Sequence, residues 1–567
     1  MTAPAPWLGH YDPGVPATLA PYPERTLTDY LGDAAREQSD SPAIYFKGTT
    51  LTFADVERLS DAGAAAFASL GVRPGDRVAL VLPNCPQFVI AQFALWKIGA
   101  IVAPLNPTYS EGELEVPLRE HGIELVITLT RFYERVKATQ HRTSIKRVVA
   151  TNIKDFFPPV LKALFTLVRE KRDGDRITLR DGDLALMPLF EANRGRRPTR
   201  QPLKMADAAV LLMSGGTTGI PKGVLGTHGA YTMAGLQIAA WLRSIVEGET
   251  RAIFAPLPLF HVYSNVGIQA LSIIARLPIA LVPNPRDIPD LVSTLRKVKP
   301  AFFNGVPTLY IALLNHPAVQ RGKVDFKSIR ICVSGAAALM ADTKQRFEAI
   351  TGGRIVEGYS LTEAMMGLCV NPVKGANKLG SVGMPLPDVQ VKIVDGDEGI
   401  RELATGEVGE IIISAPQLMS GYWNRPAESA EILRARPDGA GGSARWLHTG
   451  DLGYLDEDGY VFIVDRKKDL IKPGGGFQVW PREVEETLAA HPAVAEVGVA
   501  GAPHPSKGEI VKAWVVIRAG HQATEQELRD FCRERLAPFK VPSAIEFRND
   551  LPKTMVGKVL RRALRDS

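Results

Sequence analysis

Cysteine is scarce in this chain of 567 residues, with four in all: Cys85, Cys332, Cys369 and Cys532. None stands near another, so there is no CxxC pair, no metal knuckle and no disulfide framework. Such rarity fits a reducing compartment, where thiols stay free. Excess charge is missing as well. Lys and Arg number 67 against 61 Asp and Glu, a net +6. That balance is too even for a disordered chain and too diffuse for a nucleic-acid partner. Long apolar runs are also absent. The stretch 88–102 is broken by Lys97, and 266–282 by Arg276 and Pro278. Neither reaches the ~20 residues that span a bilayer. The opening MTAPAPWLGHYDPG has no basic region followed by an apolar one, so no secretory signal is expected. The expected location is the cytoplasm.

What is present is chain enough for several domains at roughly 150 residues each, able to bury a large core without staples. The first half alternates short aliphatic runs with helical ones. Segments 78–82, 101–105 and 125–128 read as buried strands, and 86–98 and 111–121 as helices. That order, β-α-β-α-β, predicts a parallel sheet covered on both faces. It recurs with strands at 253–256, 279–282, 302–306, 329–333 and 355–359, and helices at 287–298 and 340–350. From 389 the texture changes: 389–394 and 409–414 alternate at period two, as in an antiparallel sheet or small barrel. The glycine-rich stretch 434–446 reads as a loop. Helices at 481–490 and 525–536 then alternate with strands at 494–499 and 512–517. The polar run DRKKD, 465–469, reads as a hinge. The expected fold class is α/β. A large N-terminal domain, 1–465, holds two doubly wound sheets and an antiparallel β subdomain from about 380. A small mobile α+β lid, 466–567, follows.

The strongest motif is MSGGTTGIPKGV, 213–224, which follows the apolar run 208–212. Gly215, Gly216, Gly219 and Gly223 permit close backbone approach, and successive backbone N–H groups in such a turn form an anion nest. Ser214, Thr217 and Thr218 add hydroxyl donors, and Lys222 a mobile point charge. This is chemistry for a polyphosphate. It is not a Walker A loop, because Lys222 follows Pro221 and precedes Gly223 rather than Ser or Thr. No GxSxG elbow suggests a serine hydrolase.

The loop, ending in Pro-Lys-Gly, resembles the signature of the adenylate-forming enzymes: acyl-CoA synthetases, firefly luciferase and peptide-synthetase adenylation domains. The resemblance continues in order through VSGAA (333–337), EGYSLTE (357–363), TGDLGYLDEDGY (449–460), DRKKDLIK (465–472) and PKTMVGK (552–558). PLPLFHVY (256–263) and NGVPTLY (304–310) look most like the bacterial long-chain fatty-acid–CoA ligases. The resemblance implies an ATP- and Mg²⁺-dependent enzyme that converts a fatty acid to its acyl-adenylate and passes the acyl group to CoA.

Residue by residue, it implies that Thr218 and Lys222 act on phosphate and that Gly335, Ala336 and Ala337 wall the adenine pocket. Glu357, Gly358, Tyr359 and Ser360 would border the nucleotide, with Tyr359 against adenine. Thr362 would contact phosphate, and Glu363 would hold Mg²⁺. A hard cation does want a carboxylate plus phosphate oxygens; a lone Glu after a strand can equally be a helix N-terminal charge. Asp451 would accept the ribose hydroxyls and Arg466 help hold them, although a TGD turn can be a plain Asx turn. His261 and Tyr263 would border the acyl pocket beside Gly335, a buried backbone-bonded histidine being the bland alternative. Lys558 would enter the site during adenylation. Lys468 matches the hinge, and Lys472, Gly474 and Gly475 would serve the CoA step. The run Gly474 to Gly476 carries one glycine more than the family pattern.

A helix expected over 233–241 would wall the acyl tunnel or be plain core. The stretch 156–171, FFPPVLKALFTLVREK, is apolar nearly all round with Lys162, Arg169 and Lys171. It is expected either to lie on a membrane surface or to be a buried or dimer-contact helix. The expected partners are fatty acid, ATP and CoA; a homodimer stays open. Three readings stand beside the fatty-acid–CoA ligase: a fatty-acyl-AMP ligase without CoA, a synthetase for aryl or amino acids, and a lipid-binding protein that kept the fold.

Overall fold

Aliphatic and β-branched runs at 77–81, 101–104 and 125–129 leave almost no polar atom to face water, so they become central strands buried on both faces. In the computed structural model these are Arg77–Val81, Ile101–Pro104 and Leu125–Leu129, all parallel. The structure describes residues 5–198, 202–214, 221–337, 339–396, 399–437, 442–473, 478–504, 508–554 and 557–565. The first sheet has eight strands. Its order is Gly421–Tyr422, Gly223–Thr227, Ala208–Met213, Ile101–Pro104, Arg77–Val81, Leu125–Leu129, Arg147–Thr151 and Leu184–Ala185. The expectation of a purely parallel sheet fails at one edge. Ala208–Met213 and Gly223–Thr227 pair antiparallel, as do Gly223–Thr227 and Gly421–Tyr422. The glycine-rich connection is too short to carry a crossover helix, so the chain turns straight back as a hairpin.

The second sheet has nine strands and includes Ile253–Ala255, Ile279–Leu281, Phe302–Gly305, Ile331–Ser334 and Arg354–Leu361. Its far edge is an N-terminal hairpin, Pro42–Phe46 and Thr49–Thr52, whose first strand runs parallel to Ile279–Leu281. One apolar cluster joins the two sheets through the fully buried helix Pro86–Lys97.

The third sheet is antiparallel: Gln390–Val394, Gly409–Ser414, Ser443–Leu455, Leu433–Pro437 and Val461–Arg466. The loop expected at 434–446 is a hairpin instead. Leu433–Pro437 pairs with Ser443–Leu455, register Leu433↔Leu447 through Pro437↔Ser443. Its exposed arm, Leu433–Pro437, carries Arg434 and Arg436, so no apolar alternation betrays it. A last sheet, Val494–His504, Gly508–Ile517 and Ala544–Phe547, packs with helices Pro481–Ala489 and Glu525–Arg533 on a separate core that includes Val484, Val499, Val515 and Leu528.

Residues 156–171 are not a buried helix. Helix Pro159–Leu164 runs into the wider turn Phe165–Arg169, and no residue of either is buried. No helix among the described residues is long and apolar enough to cross a membrane.

Candidate active site

The hairpin that carries the phosphate loop is pinned at its base. Ser214 N–H donates to the Lys222 carbonyl at 2.9 Å, and Lys222 N–H donates to Ser214 Oγ at 3.1 Å. Gly223 is required just after the lysine, because a Cβ there would stand 2.4 Å from the His121 Nε2. The loop residues Gly215, Gly216, Thr217, Thr218 and Gly219 lie outside the described residues.

Lys222 does not face open solvent. Its ammonium pairs with Glu428 and lies 4.8 Å above the ring of Tyr422. Tyr422 reaches the site because Gly421–Tyr422 adds to the edge of the loop hairpin, register Tyr422↔Val224. Its hydroxyl donates to Glu363 Oε1 at 2.9 Å. Burial and the Glu363 charge push the Tyr422 pKa up, so it stays a donor. Lys222 and Arg425 in turn hold the Glu428 carboxyl below the usual range. Sequence reasoning missed Tyr422, Glu428 and Arg425. The available signal was GYWNRPAES, a glycine–aromatic pair before a proline-started helix.

Glu363 stands where Arg354–Leu361 gives way to the turn Thr362–Ala364. The next two residues, Met365 and Met366, both have positive φ, at 49° and 107°. Two non-glycine residues in that region mark stored strain, the kind that clusters at functional turns. The surroundings hold it: Met365 fills the space above Gly226 and Met366 that above Gly267, where a Cβ would clash. Thr362 is buried, Ser360 and Gly358 partly so. Glu357 is buried deeper and accepts from Leu339 N–H at 3.3 Å; burial raises its pKa.

Asp451 is not in a turn. It lies within Ser443–Leu455, directly opposite Arg466 of Val461–Arg466. Arg466 Nε donates to Asp451 Oδ1 at 3.1 Å, and Tyr359 OH donates to Asp451 Oδ2 at 2.5 Å. The Asx-turn alternative therefore falls. Cross-strand register places aspartate and arginine together, and the strand Arg354–Leu361 supplies the tyrosine.

The turn after Ile331–Ser334 carries Gly335, Ala336 and Ala337. Ala336 has φ 68°, another strained non-glycine residue. Gly335 lies close over Tyr263, 3.3 Å from a Cβ position, and Tyr263 OH donates to the Val333 carbonyl at 3.1 Å. His261 is half-buried, and its Nδ1 accepts from Tyr263 N–H at 3.3 Å. Burial lowers its pKa to about 4, so the ring is neutral near pH 7. The expected helix over 233–241 is His228–Trp241. Most of it is buried, with partial exposure at Met233, Leu236, Ile238, Ala239 and Ala240, of which Met233, Leu236 and Ala240 share a face.

The C-terminal segment closes over this assembly. Lys553 and Val559 bridge across a tight turn, with Lys558 N–H donating to Thr554 Oγ1 at 3.1 Å. Gly557, φ 76°, is pressed against helix Pro307–Leu314: a Cβ would lie 2.1 Å from Thr308 Oγ1. Lys558 is thereby brought within electrostatic reach of Asp451 and Arg466. Loss of hydration, with repulsion from Arg466, lowers its pKa to about 8. Three residues on, Arg561 ties the segment to Asp465, Asp469 and Glu485 at 2.7, 3.0 and 2.7 Å. The residues assigned to CoA and the hinge are not gathered here. Lys468 is exposed in the turn Lys467–Asp469, and Lys472 is exposed with its N–H on Glu509. Gly474 and Gly475 lie outside the described residues.

Among the described residues no group of three or more His, Cys, Asp or Glu could hold a metal unaided. Glu363, the carboxylate that Tyr422 holds near Lys222, fits a cation whose other ligands are substrate phosphates, which is how Mg²⁺ is commonly held.

Fold and site together define a nucleotide-binding enzyme in which a C-terminal lysine is carried to a site built by the rest of the chain. Residues 31–423 match the family described as AMP-binding enzyme, and 483–558 match the AMP-binding enzyme C-terminal domain. The long-chain-fatty-acid–CoA ligase of Bacillus subtilis is 42% identical over 570 residues, covering 100% of this chain and 98% of its own. That of Salmonella typhimurium is 36% identical over 569 residues, covering 99% and 98%. Among solved structures, an anthranilate CoA ligase in complex with anthranoyl-AMP superposes with TM-score 0.82 at 26% identity, covering 96% of this chain and 98% of that one. The chain belongs to the AMP-binding, adenylate-forming enzyme family.

Proposed function

We propose that this protein is an ATP-dependent long-chain fatty-acid–CoA ligase. A carboxylate is resonance-deactivated and must first gain a leaving group. A carboxylate oxygen attacks the α-phosphorus of ATP, the bond to the β-phosphate oxygen breaks, and pyrophosphate leaves. The CoA thiol, giving up its proton, then attacks the acyl carbon and AMP departs. Both steps load charge onto oxygens, so electrostatic placement is the main work. Lys222 with the phosphate loop faces the β- and γ-phosphates. Asp451 and Arg466 hold the ribose. Lys558 offsets charge between the carboxylate and the α-phosphate. Glu363, held by Tyr422, is the ligand for Mg²⁺, which would neutralise phosphate charge when bound.

The observation that carries this reading is the convergence of Lys222, Glu363, Asp451–Arg466 and Lys558, drawn from distant parts of the chain. The long-chain choice is supported by full-length similarity to ligases of that name and by the apolar face of Met233, Leu236 and Ala240. An aryl substrate is the second reading, favoured by the likeness to an anthranilate CoA ligase and to 4-coumarate–CoA ligase 2 of Oryza sativa, 33% identical.

ATP–pyrophosphate exchange over acids from acetate to oleate, with and without CoA, tests it. Burial adds about 0.8 kcal/mol per CH₂, so kcat/KM should rise by roughly tenfold for each two carbons until the tunnel is full. A preference for acetate or benzoate over dodecanoate would sink the long-chain reading. Absence of thioester despite exchange would sink the CoA step.

Tyr422→Phe keeps the ring under Lys222 and removes only the bond to Glu363. A hydrogen bond to a charged group is worth about 1.5–3 kcal/mol, so about tenfold more Mg²⁺ should be needed for half-maximal adenylation. An unchanged Mg²⁺ titration would dismiss Tyr422 as a positioning residue.

A further inference from the structure

The segment 159–169 leaves exposed the aliphatic side chains that an ordinary surface helix hides against its core. Thr166 is its one polar side chain turned toward the protein, and the segment is pinned there and at Glu170, just past its end. Lys154 Nζ donates to Thr166 Oγ1 at 2.9 Å and pairs with Glu170 at 2.6 Å, while Asn152 Nδ2 donates to Glu170 Oε1 at 3.1 Å. Phe165 meets Phe157 edge-on at 5.5 Å, and Phe157 lies 6.0 Å from Phe46 of the second sheet. The aliphatic side chains face out: Val160 is 74% exposed, Leu167 83% and Val168 63%. With Leu161 and Leu164 they make five of the eleven large hydrophobic side chains exposed among the described residues, gathered in nine positions while the other six are scattered. The inward contacts fix this orientation, so the apolar face cannot roll under.

The charge around the patch has one sign. Lys162, Arg169, Lys171 and Arg172 are exposed. The nearby acids are withdrawn: Glu170 is buried, and Asp173 is largely covered and engaged by Arg169 and Arg172. Lys162 and Lys171 have no ion pair among the described residues.

We propose that this segment is a membrane-surface anchor, lying in the headgroup–acyl boundary of an anionic bilayer with Lys162 and Lys171 on lipid phosphates. Eleven helical residues extend only about 16 Å, far short of a ~30 Å hydrocarbon core, so the segment lies along the surface. An apolar face with basic flanks is what holds such helices there. A second copy of the chain fits less well. A helix of this length and about 10 Å width covers on the order of 160 Å². A stable interface buries about 800 Å² on each partner. The anchor stands whichever acid the enzyme activates.

Co-sedimentation of the full chain with vesicles of phosphatidylcholine and phosphatidylglycerol in equal parts tests this, with pure phosphatidylcholine as comparison. The protein should partition to the anionic vesicles and much less to the neutral ones. Leu167→Asp with Val168→Asp should lower partitioning by at least about tenfold. Lys162→Gln with Lys171→Gln should lower it by about fivefold per cation. All four side chains lie at the surface, so thermal melting and pyrophosphate exchange should match the parent protein. The anchor is overturned if the parent fails to sediment with anionic vesicles, if the aspartate variant sediments equally, or if lipid charge makes no difference. Parent self-association lost in the aspartate variant, without vesicle binding, would assign the patch to a second copy and likewise overturn it.

Discussion

Lys558→Ala is expected to abolish acyl-adenylate formation while leaving the conversion of supplied acyl-AMP and CoA to thioester largely intact. The lysine reaches the site only because the turn 553–559 packs against Thr308 through Gly557 and is tied back by Arg561. Its charge is needed while the carboxylate attacks phosphorus, and one such electrostatic contact is worth about 10²–10³ in rate. The second half-reaction has no attack on phosphate to stabilise. Lys468→Pro restricts φ in the exposed turn Lys467–Asp469 and should do the reverse, sparing adenylation and slowing thioester formation. Equal damage to both half-reactions by both variants would mean that the C-terminal part is a static wall of one site.

The same lysine predicts a pH profile. Its pKa is lowered to about 8, so the cation is present below that pH and lost above it. Adenylation kcat/KM, which reports groups of the free enzyme, should therefore fall as pH rises through about 8. Lys558→Arg stays charged and should lose that alkaline limb even if its different shape lowers the plateau. An alkaline limb that persists unchanged in Lys558→Arg would assign the titration to another group.

Glu363→Gln should lower adenylation by at least about a hundredfold, the scale of one electrostatic contact of 2.7–4 kcal/mol. The amide still accepts the Tyr422 hydroxyl, so the turn with its strained Met365 and Met366 should survive. What is lost is the carboxylate charge that Tyr422 holds near Lys222. Near-normal pyrophosphate exchange at saturating Mg²⁺ would remove Glu363 from the metal role, and a matching loss of thermal stability would assign it to the turn.

Most of the scaffold was legible in the residues. Buried runs such as 78–82 and 302–306 can only be central strands, and the α/β alternation limits their arrangement. The glycine-rich loop motif carried Ser214 and Lys222, and the family resemblance carried Tyr359, Glu363, Asp451, Arg466 and Lys558. The stretch 156–171 was legible as amphipathic in neither sense, because an all-apolar segment does not say which face is covered.

Local sequence determined what depends on neighbours a few residues away: strand and helix periods and the hairpin base at Ser214 and Lys222. Tertiary structure alone decided what depends on register between distant strands. Tyr422 meets Glu363 across 59 residues because Gly421–Tyr422 adds to the loop hairpin. Asp451 faces Arg466 because two strands pair in one register rather than the next. A slip of one residue would turn each side chain to the opposite face. Such meetings leave no periodic trace along the chain, since the two partners obey no common spacing.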